Sequence, residues 1–348
     1  MGASPDMLTV AHLRKSFGRI VAVDDVSFTL ERGQLVGLLG PNGAGKTTTV
    51  SLIAGLAAPD NGEVLVAGER LNGDADPKKR RIGLVPQELV DIELMTYPEI
   101  YAAIHDHGKT TVLVYNGGTE QRGPHAVLGG HTLMAHAIAP MIARKLGNAL
   151  VAPVLPFSVN PAGGVDPKMP GGIELSPDLF QKVNEAVVDS MVKNGFKNIV
   201  LMGDHGGGQV ELNKLASAMD AKYGPRGTHV HFCGDVYEKS RQEFAVWLTS
   251  KRLPLSNHAG ISDTSTMLYL QPERQQWVRS IYKTTIGDPV LPPGQQPDPN
   301  VPRVNNGVTG DPRRSTPEIG KLVVEMKVNN AVAEINRLIG RSRVRTTP

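Results

Sequence analysis

Strand-like and helix-like segments alternate along the chain from about residue 92 onward. Short apolar runs predict strands at Thr110–Tyr115, Ala149–Pro153, Asn198–Met202 and His229–Cys233, with a further candidate at Thr266–Leu270. Longer stretches with helical periodicity predict helices at Thr132–Leu146, Pro177–Asn194 and Val210–Tyr223. This alternation indicates an α/β domain whose mostly parallel sheet is covered by helices on both faces.

The first ninety residues follow a different pattern. Leu8–Leu30 alternates apolar and polar residues, which is typical of antiparallel strands. Gln34–Leu39 predicts a buried strand that runs into GPNGAGKTT, and an apolar helix follows at Val50–Leu56. This is the G-x-x-x-x-G-K-T motif in its strand–loop–helix context, where backbone amides surround phosphate oxygens. Lys46 can then reach the β- and γ-phosphates of a nucleotide, and the Thr47 hydroxyl can ligate magnesium.

The segment from LRKSFGRIVAVDDVSF through the phosphate-binding loop to RRIGLVPQE resembles the ATP-binding subunit of ABC transporters. The resemblance covers residues 8 to about 88. It implies a P-loop NTPase segment that binds ATP and magnesium, with Phe17 stacked on adenine. The other nucleotide-binding residues that it implies are Gly40, Asn42, Gly43, Gly45, Lys46, Thr47, Thr48 and Gln87.

This ABC-type segment is truncated. A complete ATPase of this class also has an L-S-G-G-Q helix, a strand ending in Asp-Glu and a switch histidine, and none of these follows. The sequence GGGQ at 206–209 is followed neither by the arginine- and alanine-rich helix of that motif nor by a later apolar strand ending in Asp-Glu, so we interpret it as a chance match. Half of such a site can bind nucleotide but lacks the groups that position the nucleophile, so we expect no ATP hydrolysis. Without its partner strands, Gln34–Leu39 must be covered by another element or stay exposed.

Metal-ligating residue types follow several of the predicted strands. The first loop holds Glu120, His125 and His131, and the third holds Asp204 and His205. A later segment adds His258 and Asp263. Loops at the carboxyl ends of parallel strands meet at one edge of the sheet. Carboxylates and imidazoles gathered there are typical of a zinc, manganese or iron site.

The same segments resemble the creatininase family of metal-dependent amidohydrolases, from about Leu94 to Ile339. The resemblance rests on GGTEQRGPHAVLGGH, MGDHGGGQ, NHAGISDTS and GVTGDPRRSTPEIGK, in this order. It implies a three-layer α/β/α fold, one or two divalent ions per active site and a ring-like homohexamer.

The resemblance also assigns ligands to individual positions. Glu120 and His205 stand at two family ligand positions, and Asp263 stands for a glutamate ligand. His131 replaces an aspartate that bridges two metals, and an imidazole bridges two ions poorly. We therefore expect one metal ion, held by Glu120, His131, His205 and Asp263.

Two further residues receive catalytic roles. His258 stands at the position of the histidine that shuttles protons in the family. Arg122 replaces a histidine ligand and brings a permanent positive charge, so we expect it near the second metal position as an anion or oxyanion contact. His125 remains as a residue that supports the loop.

The resulting prediction is a metal-dependent hydrolase of a non-peptide carbon–nitrogen bond in a small, possibly cyclic, amide. Two alternatives stay open, a truncated ATP-binding ABC-type subunit and a creatininase-like scaffold without activity. We expect a partial nucleotide-binding domain at residues 1–90, the amidohydrolase domain at 91–340 and a basic tail at 341–348. The junction has no linker, which indicates a gene fusion or an assembly accident.

Composition removes several classes of protein. The 348 residues carry a formal net charge of +3, too small to indicate nucleic-acid binding. A single cysteine, Cys233, indicates no internal disulfide. No apolar run is long enough for a membrane span, and no secretion signal precedes residue 30, so we expect a cytoplasmic protein. A transporter membrane subunit is an expected partner only if the ABC-type segment is functional.

Overall fold

The computed structural model divides the chain into two compact units, Met1–Glu88 and Leu89–Pro348. No helix within the described residues is both long and apolar enough to cross a membrane. The structure describes residues 7–18, 20–40, 44–71, 76–78, 82, 89–160, 166–291 and 295–345, without the side chains of 341–345.

The first unit contains an antiparallel sheet and one short helix. Its strands lie in the order β2-β1-β3-β4. Val10, Leu13, Val64 and Val66 of the sheet pack with Leu52 of the helix in a small core. The elements are β1 (Leu8–Phe17), β2 (Ile20–Leu30), α1 (Lys46–Ile53), β3 (Asn61–Val66) and β4 (Glu69–Arg70).

The strand predicted at Gln34–Leu39 is wrong. These residues form no regular element, and Leu35 and Leu39 are 99% and 92% exposed. An extended segment needs a neighbouring strand to pair its backbone groups. None of the described strands lies beside this one, so the apolar segment stays exposed.

The second unit is built on a parallel sheet with the strand order β6-β5-β7-β8. All six residues of β5 are buried, as expected for a strand with a layer on each face. The elements are α2 (Tyr97–His105), β5 (Thr111–Asn116), α3 (Gly130–Leu146), β6 (Ala149–Val151), α4 (Pro177–Lys193), β7 (Asn198–Gly203), α5 (Gln209–Tyr223), β8 (His229–Phe232), α6 (Glu238–Ser250), α7 (Ile261–Leu270) and α8 (Pro317–Arg345).

Helices pack on this sheet in two groups. Helix α3 contacts β5 and β6 and packs with α7 and α8, whereas α4 and α5 pack together and contact β7 and β8. The chain leaves β5 toward β6 on one side and later returns to β7 on the other side. The carboxyl ends of β5 and β7 therefore border a topological switch point, where open α/β sheets bind their ligands.

The four principal strands and three helices of the second unit agree with the sequence prediction to within about two residues, the usual uncertainty of such boundaries. The candidate strand Thr266–Leu270 is wrong, because these residues complete α7, which packs along α8. Tertiary packing has overridden the β-branched composition of this segment. Helix α8 reaches Arg345, so its last turn extends into the predicted basic tail.

Candidate metal centre

Three potential metal ligands converge at the switch point. Glu120 lies in the loop after β5, His131 lies in the first turn of α3, and His205 follows β7. Their ligand atoms all lie within 4.8 Å of one another. The Nε2 atom of His131 is 3.0 Å from Oε1 of Glu120, and Nε2 of His205 is 2.9 Å from Oε2. Both imidazoles therefore point at one carboxylate.

The orientation of His131 is fixed by a buried network behind it. Its Nδ1 atom hydrogen-bonds Oδ2 of Asp204 at 2.8 Å. Asp204 also accepts from the Tyr115 hydroxyl and from the Lys327 ammonium group, which reaches it from α8. Nε2 also donates to Glu120, and although burial lowers the pKa of His131, the hydrogen bonds to Asp204 and Glu120 raise it overall. Loss of the Nε2 proton leaves that lone pair for a metal, with the carboxylate on Nδ1–H, as behind most metal-binding histidines.

His205 is held differently. The backbone N–H of Gly207 donates to its Nδ1 atom at 3.0 Å. The neutral ring then carries its proton on Nε2, where it donates to Glu120. Ligation of a metal through Nε2 requires the other neutral tautomer, with the proton on Nδ1.

Arg122 lies beside the three ligands and is fully buried. Its Nη2 atom is 2.6 Å from Oδ2 of Asp263, and its Nη1 atom is 3.3 Å from Oε1 of Glu120. Gly130 makes room for this side chain, because an added Cβ there would lie 2.7 Å from Nε of Arg122. The guanidinium thus joins two partly buried carboxylates, one of which belongs to the group of three potential ligands.

Asp263 and His258 lie on the other side of this pair. Besides Arg122, Oδ2 of Asp263 accepts the backbone N–H of Ala259 at 2.9 Å. His258 contacts the backbone carbonyl of Gln121 through Nε2 at 2.6 Å, and its Nδ1 atom is 3.4 Å from Oε1 of Glu120. Because a carbonyl accepts only, Nε2 carries the proton and Nδ1 faces the centre as an acceptor.

His125 lies away from the three ligand atoms. It is fully buried, and its Nε2 atom hydrogen-bonds the Thr264 hydroxyl, which in turn donates to the carbonyl of Ala259. Burial, followed by the charge of Arg122, lowers the pKa of His125 to about 4. This neutral imidazole therefore connects the loop after β5 to α7.

Hydrogen bonds keep the carboxylates of the centre ionised. Burial by itself raises the pKa of Glu120, but the hydrogen bonds from His131 and His205 outweigh it and hold the pKa well below its usual range. Burial likewise opposes ionisation of Asp263, and the charge of Arg122 lowers its pKa overall. For Asp204, Lys327 and His131 outweigh burial and lower the pKa. Burial lowers the pKa of His258, which favours its neutral form.

A cavity of about 860 Å³ opens over the centre. Its wall includes Glu120, His131, His205, His258 and Tyr237. The size is that of sites that enclose a small organic molecule. Burial, followed by the charge of Asp263, raises the pKa of the Tyr237 hydroxyl to about 12, so this group keeps its proton at neutral pH.

The predicted nucleotide site lies in the first unit. Gly45 adopts a left-handed conformation before α1, at a φ of 76°, and an added Cβ would lie 1.9 Å from the carbonyl oxygen of Ala22. Lys46 donates to the carbonyl of Gly40 at 2.7 Å. Thr47 and Thr48 occupy the first turn of the helix, and Phe17 is half exposed with Lys15 near its ring. The predicted contacts Asn42, Gly43 and Gln87 lie outside the described residues.

Two residues of the centre carried no clear signal in the sequence. Lys327 reaches Asp204 from α8, a helix that the periodicity did not predict. Tyr237 follows the carboxyl end of β8 and was not singled out from the sequence. Its position after a predicted strand is the signal that could have identified it.

Comparison with known proteins finds two families along the chain. A family model described as creatinine amidohydrolase matches residues 93–335, more than half of the chain. An ABC transporter model matches residues 23–133.

Solved structures resemble the larger unit. A crystal structure of creatinine amidohydrolase superimposes with a TM-score of 0.59 at 19% identity, over 72% of this chain and 98% of that one. A manganese form of creatininase gives 0.57 at 22% identity, over 72% and 98%. A putative creatinine amidohydrolase from Bacteroides fragilis gives 0.54 at 20% identity, over 71% and 95%. At these identities the likeness shows the fold.

Curated relatives are ATP-binding proteins. The linearmycin resistance ATP-binding protein LnrL of Bacillus subtilis is 38% identical over 125 residues, which is 33% of this chain and 40% of that protein. The Nod factor export ATP-binding protein I of Ralstonia nicotianae is 47% identical over 87 residues, 25% of this chain and 27% of that protein. The chain thus spans less than half the length of these relatives.

Proposed function

The chain belongs to the creatininase family, and on this premise we propose that its larger unit is a metal-dependent hydrolase of a carbon–nitrogen bond in a small cyclic or linear amide. One observation carries the proposal. Glu120, His131 and His205 place their ligand atoms within 4.8 Å of one another, on the wall of a cavity at the switch point of a parallel sheet.

The donor set fits a divalent metal ion. Two histidines and one glutamate, with a further position left for substrate or water, are a common ligand set of catalytic zinc. The hydrogen bond from His131 to Asp204 leaves Nε2 for the ion. A bound Zn, Mn or Fe ion supplies a Lewis acid that polarises an amide carbonyl and lowers the pKa of a water molecule.

The charges around the centre support one ion. Asp204 is a buried carboxylate and Glu120 and Asp263 are partly buried ones, and Arg122 and Lys327 are the cations paired with them. One negative charge is left over, which a single divalent ion more than balances. Arg122 lies on the side where a second ion would need the same carboxylates, so its guanidinium supplies the charge that a second metal would bring.

His258 is the proposed proton carrier. Its Nδ1 atom faces Glu120 while its Nε2 atom is bound to the carbonyl of Gln121. In amide hydrolysis this residue takes a proton from the attacking water and delivers one to the departing nitrogen. Arg122, engaged with two carboxylates, acts on the charge of the centre and holds Asp263 in place.

Metal analysis and a substrate screen test the proposal. The full chain, purified after growth with zinc, manganese and iron salts, is expected to hold about one equivalent of metal, as three-ligand sites do. Glu120→Gln should remove the metal, whereas Glu174→Gln, a change at the rim of the same cavity, should keep it. The screen uses small amides, including creatinine. Less than about a tenth of an equivalent in the wild-type protein contradicts metal-dependent chemistry. Full metal with no amide turned over supports the inactive scaffold instead.

A second function is favoured by the loop before α1. Left-handed Gly45 is followed by Lys46 in the first turn of α1, and the backbone N–H groups of a helix N-terminus together with a lysine favour phosphate binding. We propose that the first unit binds ATP with magnesium without hydrolysing it. Calorimetric titration with ATP should give heat that disappears in Lys46→Ala, and equal heats in both proteins would contradict it.

A further inference from the structure

We propose that Tyr237 is a further catalytic residue of the larger unit, whose hydroxyl donates a hydrogen bond to the carbonyl oxygen of the amide substrate. The inference rests on the proposed function of the centre. It makes the Tyr237 hydroxyl the hydrogen-bond donor to the carbonyl oxygen, which becomes negatively charged when water attacks the amide.

The position of Tyr237 carries the first part of the argument. It follows β8 and immediately precedes α6, so it comes from the same edge of the sheet as Glu120 and His205. It lines the cavity with them. A Cβ atom added to Gly206 would lie 2.6 Å from the hydroxyl oxygen of Tyr237. The hydroxyl therefore lies against the residue that follows His205, and the absence of a side chain at Gly206 is what admits it.

The hydroxyl is also a donor that is available to a ligand. Among the residues that the structure describes, no group hydrogen-bonds to it. The neighbouring donors are engaged, because Tyr115 and Lys327 both donate to Asp204 and Arg122 pairs with two carboxylates. The hydroxyl of a buried tyrosine usually has a hydrogen-bond partner, and here that partner is a ligand bound in the cavity.

The chemistry of the centre requires such a donor. Attack of water on an amide carbon moves negative charge onto the carbonyl oxygen. The cations of the centre are already paired, Arg122 with Glu120 and Asp263 and Lys327 with Asp204, so they are not positioned on the carbonyl oxygen. A fixed donor aimed at the place where charge develops stabilises the transition state. Tyr237 can do this without losing its proton.

The test compares Tyr237→Phe with Tyr282→Phe, the same change at a half-buried tyrosine outside the cavity wall. The probe is acetohydroxamic acid, which chelates a metal and presents a carbonyl oxygen. It is titrated into full-length protein loaded with cobalt, and visible absorption reports binding at the metal alone. Tyr237→Phe should bind the probe about tenfold more weakly, the loss of one hydrogen bond to a charged group, with unchanged cobalt content. Tyr282→Phe should match the wild type.

The outcomes separate the two proposals. Equal affinity of the cobalt-loaded wild type and Tyr237→Phe overturns the role of Tyr237 and leaves the metal centre standing. A wild-type protein that takes up no cobalt overturns the metal centre itself, and the inference falls with it. For an amide that the wild type hydrolyses, turnover by Tyr237→Phe should fall about a hundredfold, as for the loss of an oxyanion donor.

A second variant tests the close approach itself. Gly206→Ala places a methyl group where the hydroxyl lies, so it should weaken probe binding in the wild type. In a Tyr237→Phe background the hydroxyl oxygen is absent, so Gly206→Ala should reduce the affinity for the probe clearly less. Additive losses in this cycle would mean that the two positions act independently, which contradicts the proposed geometry.

Discussion

The Arg122 guanidinium and the Asp263 carboxylate form a buried ion pair of 2.6 Å beside the candidate metal centre. Arg122 is 0% exposed, and it also faces Glu120 at 3.3 Å. One cation therefore joins a ligand of the centre to a residue that the family resemblance had placed among the ligands. The Arg122 guanidinium is therefore a permanent positive charge beside the centre, whether or not a metal is bound.

The stability of the larger unit should depend on this pair. Arg122→Met leaves two partly buried carboxylates without their cation. The free energy of unfolding should fall by about 3 kcal/mol, the low end for a broken buried pair. Arg313→Met, which removes a half-exposed partner of Asp311, should cost less than about 1 kcal/mol. Urea unfolding followed by circular dichroism measures both. Equal small losses would mean that solvent reaches Arg122.

A second prediction concerns Asp263 as a metal ligand. Its Oδ2 atom already receives Arg122 and the backbone N–H of Ala259. On this geometry Asp263→Asn should keep most of its metal and have a lower free energy of unfolding. Glu120→Gln should lose its metal. Metal content after gel filtration separates the two. Loss of metal in Asp263→Asn to the level of Glu120→Gln would instead make Asp263 a ligand, as the sequence predicted.

The sequence brought the candidate ligands together but did not show their surroundings. Glu120, His131 and His205 could be placed together because they follow strands whose carboxyl ends share one edge of the sheet. The burial of Arg122 could not be predicted, because it depends on space left by Gly130 and on the position of α7. Such contacts are set by packing between distant elements, which leaves no local pattern in the chain.

The first unit shows the converse case. Its phosphate-binding loop was identified by a local motif, and the helix after it begins at Lys46. The apolar residues of Gln34–Leu39 gave a strand prediction that failed, because a strand also requires neighbours that the local pattern does not report.

The pH dependence of stability offers a test outside the metal centre. Burial lowers the pKa of His231 on β8 to about 4; the charge of Asp220 opposes this shift and that of His229 adds to it. Between about pH 6.5 and 4 the unfolded chain binds a proton at this position and the folded chain does not. Stability is therefore lost as the pH falls below about 6.5, by roughly 3 kcal/mol in total from this residue.

Replacing His231 should remove its contribution to the pH dependence of the free energy of unfolding. Between about pH 7 and pH 4, His231→Gln is expected to lose less stability than the wild type. This range spans the pKa of His231 in the unfolded chain and its lowered pKa in the folded chain. The slope due to His125, whose pKa is also lowered to about 4, should remain. His105→Gln, at an exposed position of α2, serves as the matched control. Parallel curves for His231→Gln and the wild type would mean that the folded chain protonates His231 normally.

The last prediction concerns the independence of the two units. The main hydrophobic core of the larger unit is formed by residues from Val90 onward, and the small core of the first unit uses none of them. A chain that lacks residues 1–88 should therefore keep its metal and its unfolding transition. The full chain should self-associate more, because Leu35 and Leu39 are exposed in an unpaired apolar segment. Light scattering against concentration measures this, and the double change Leu35→Lys and Leu39→Lys should reduce it. If the shortened chain aggregates while the full chain does not, the larger unit needs the first one to fold.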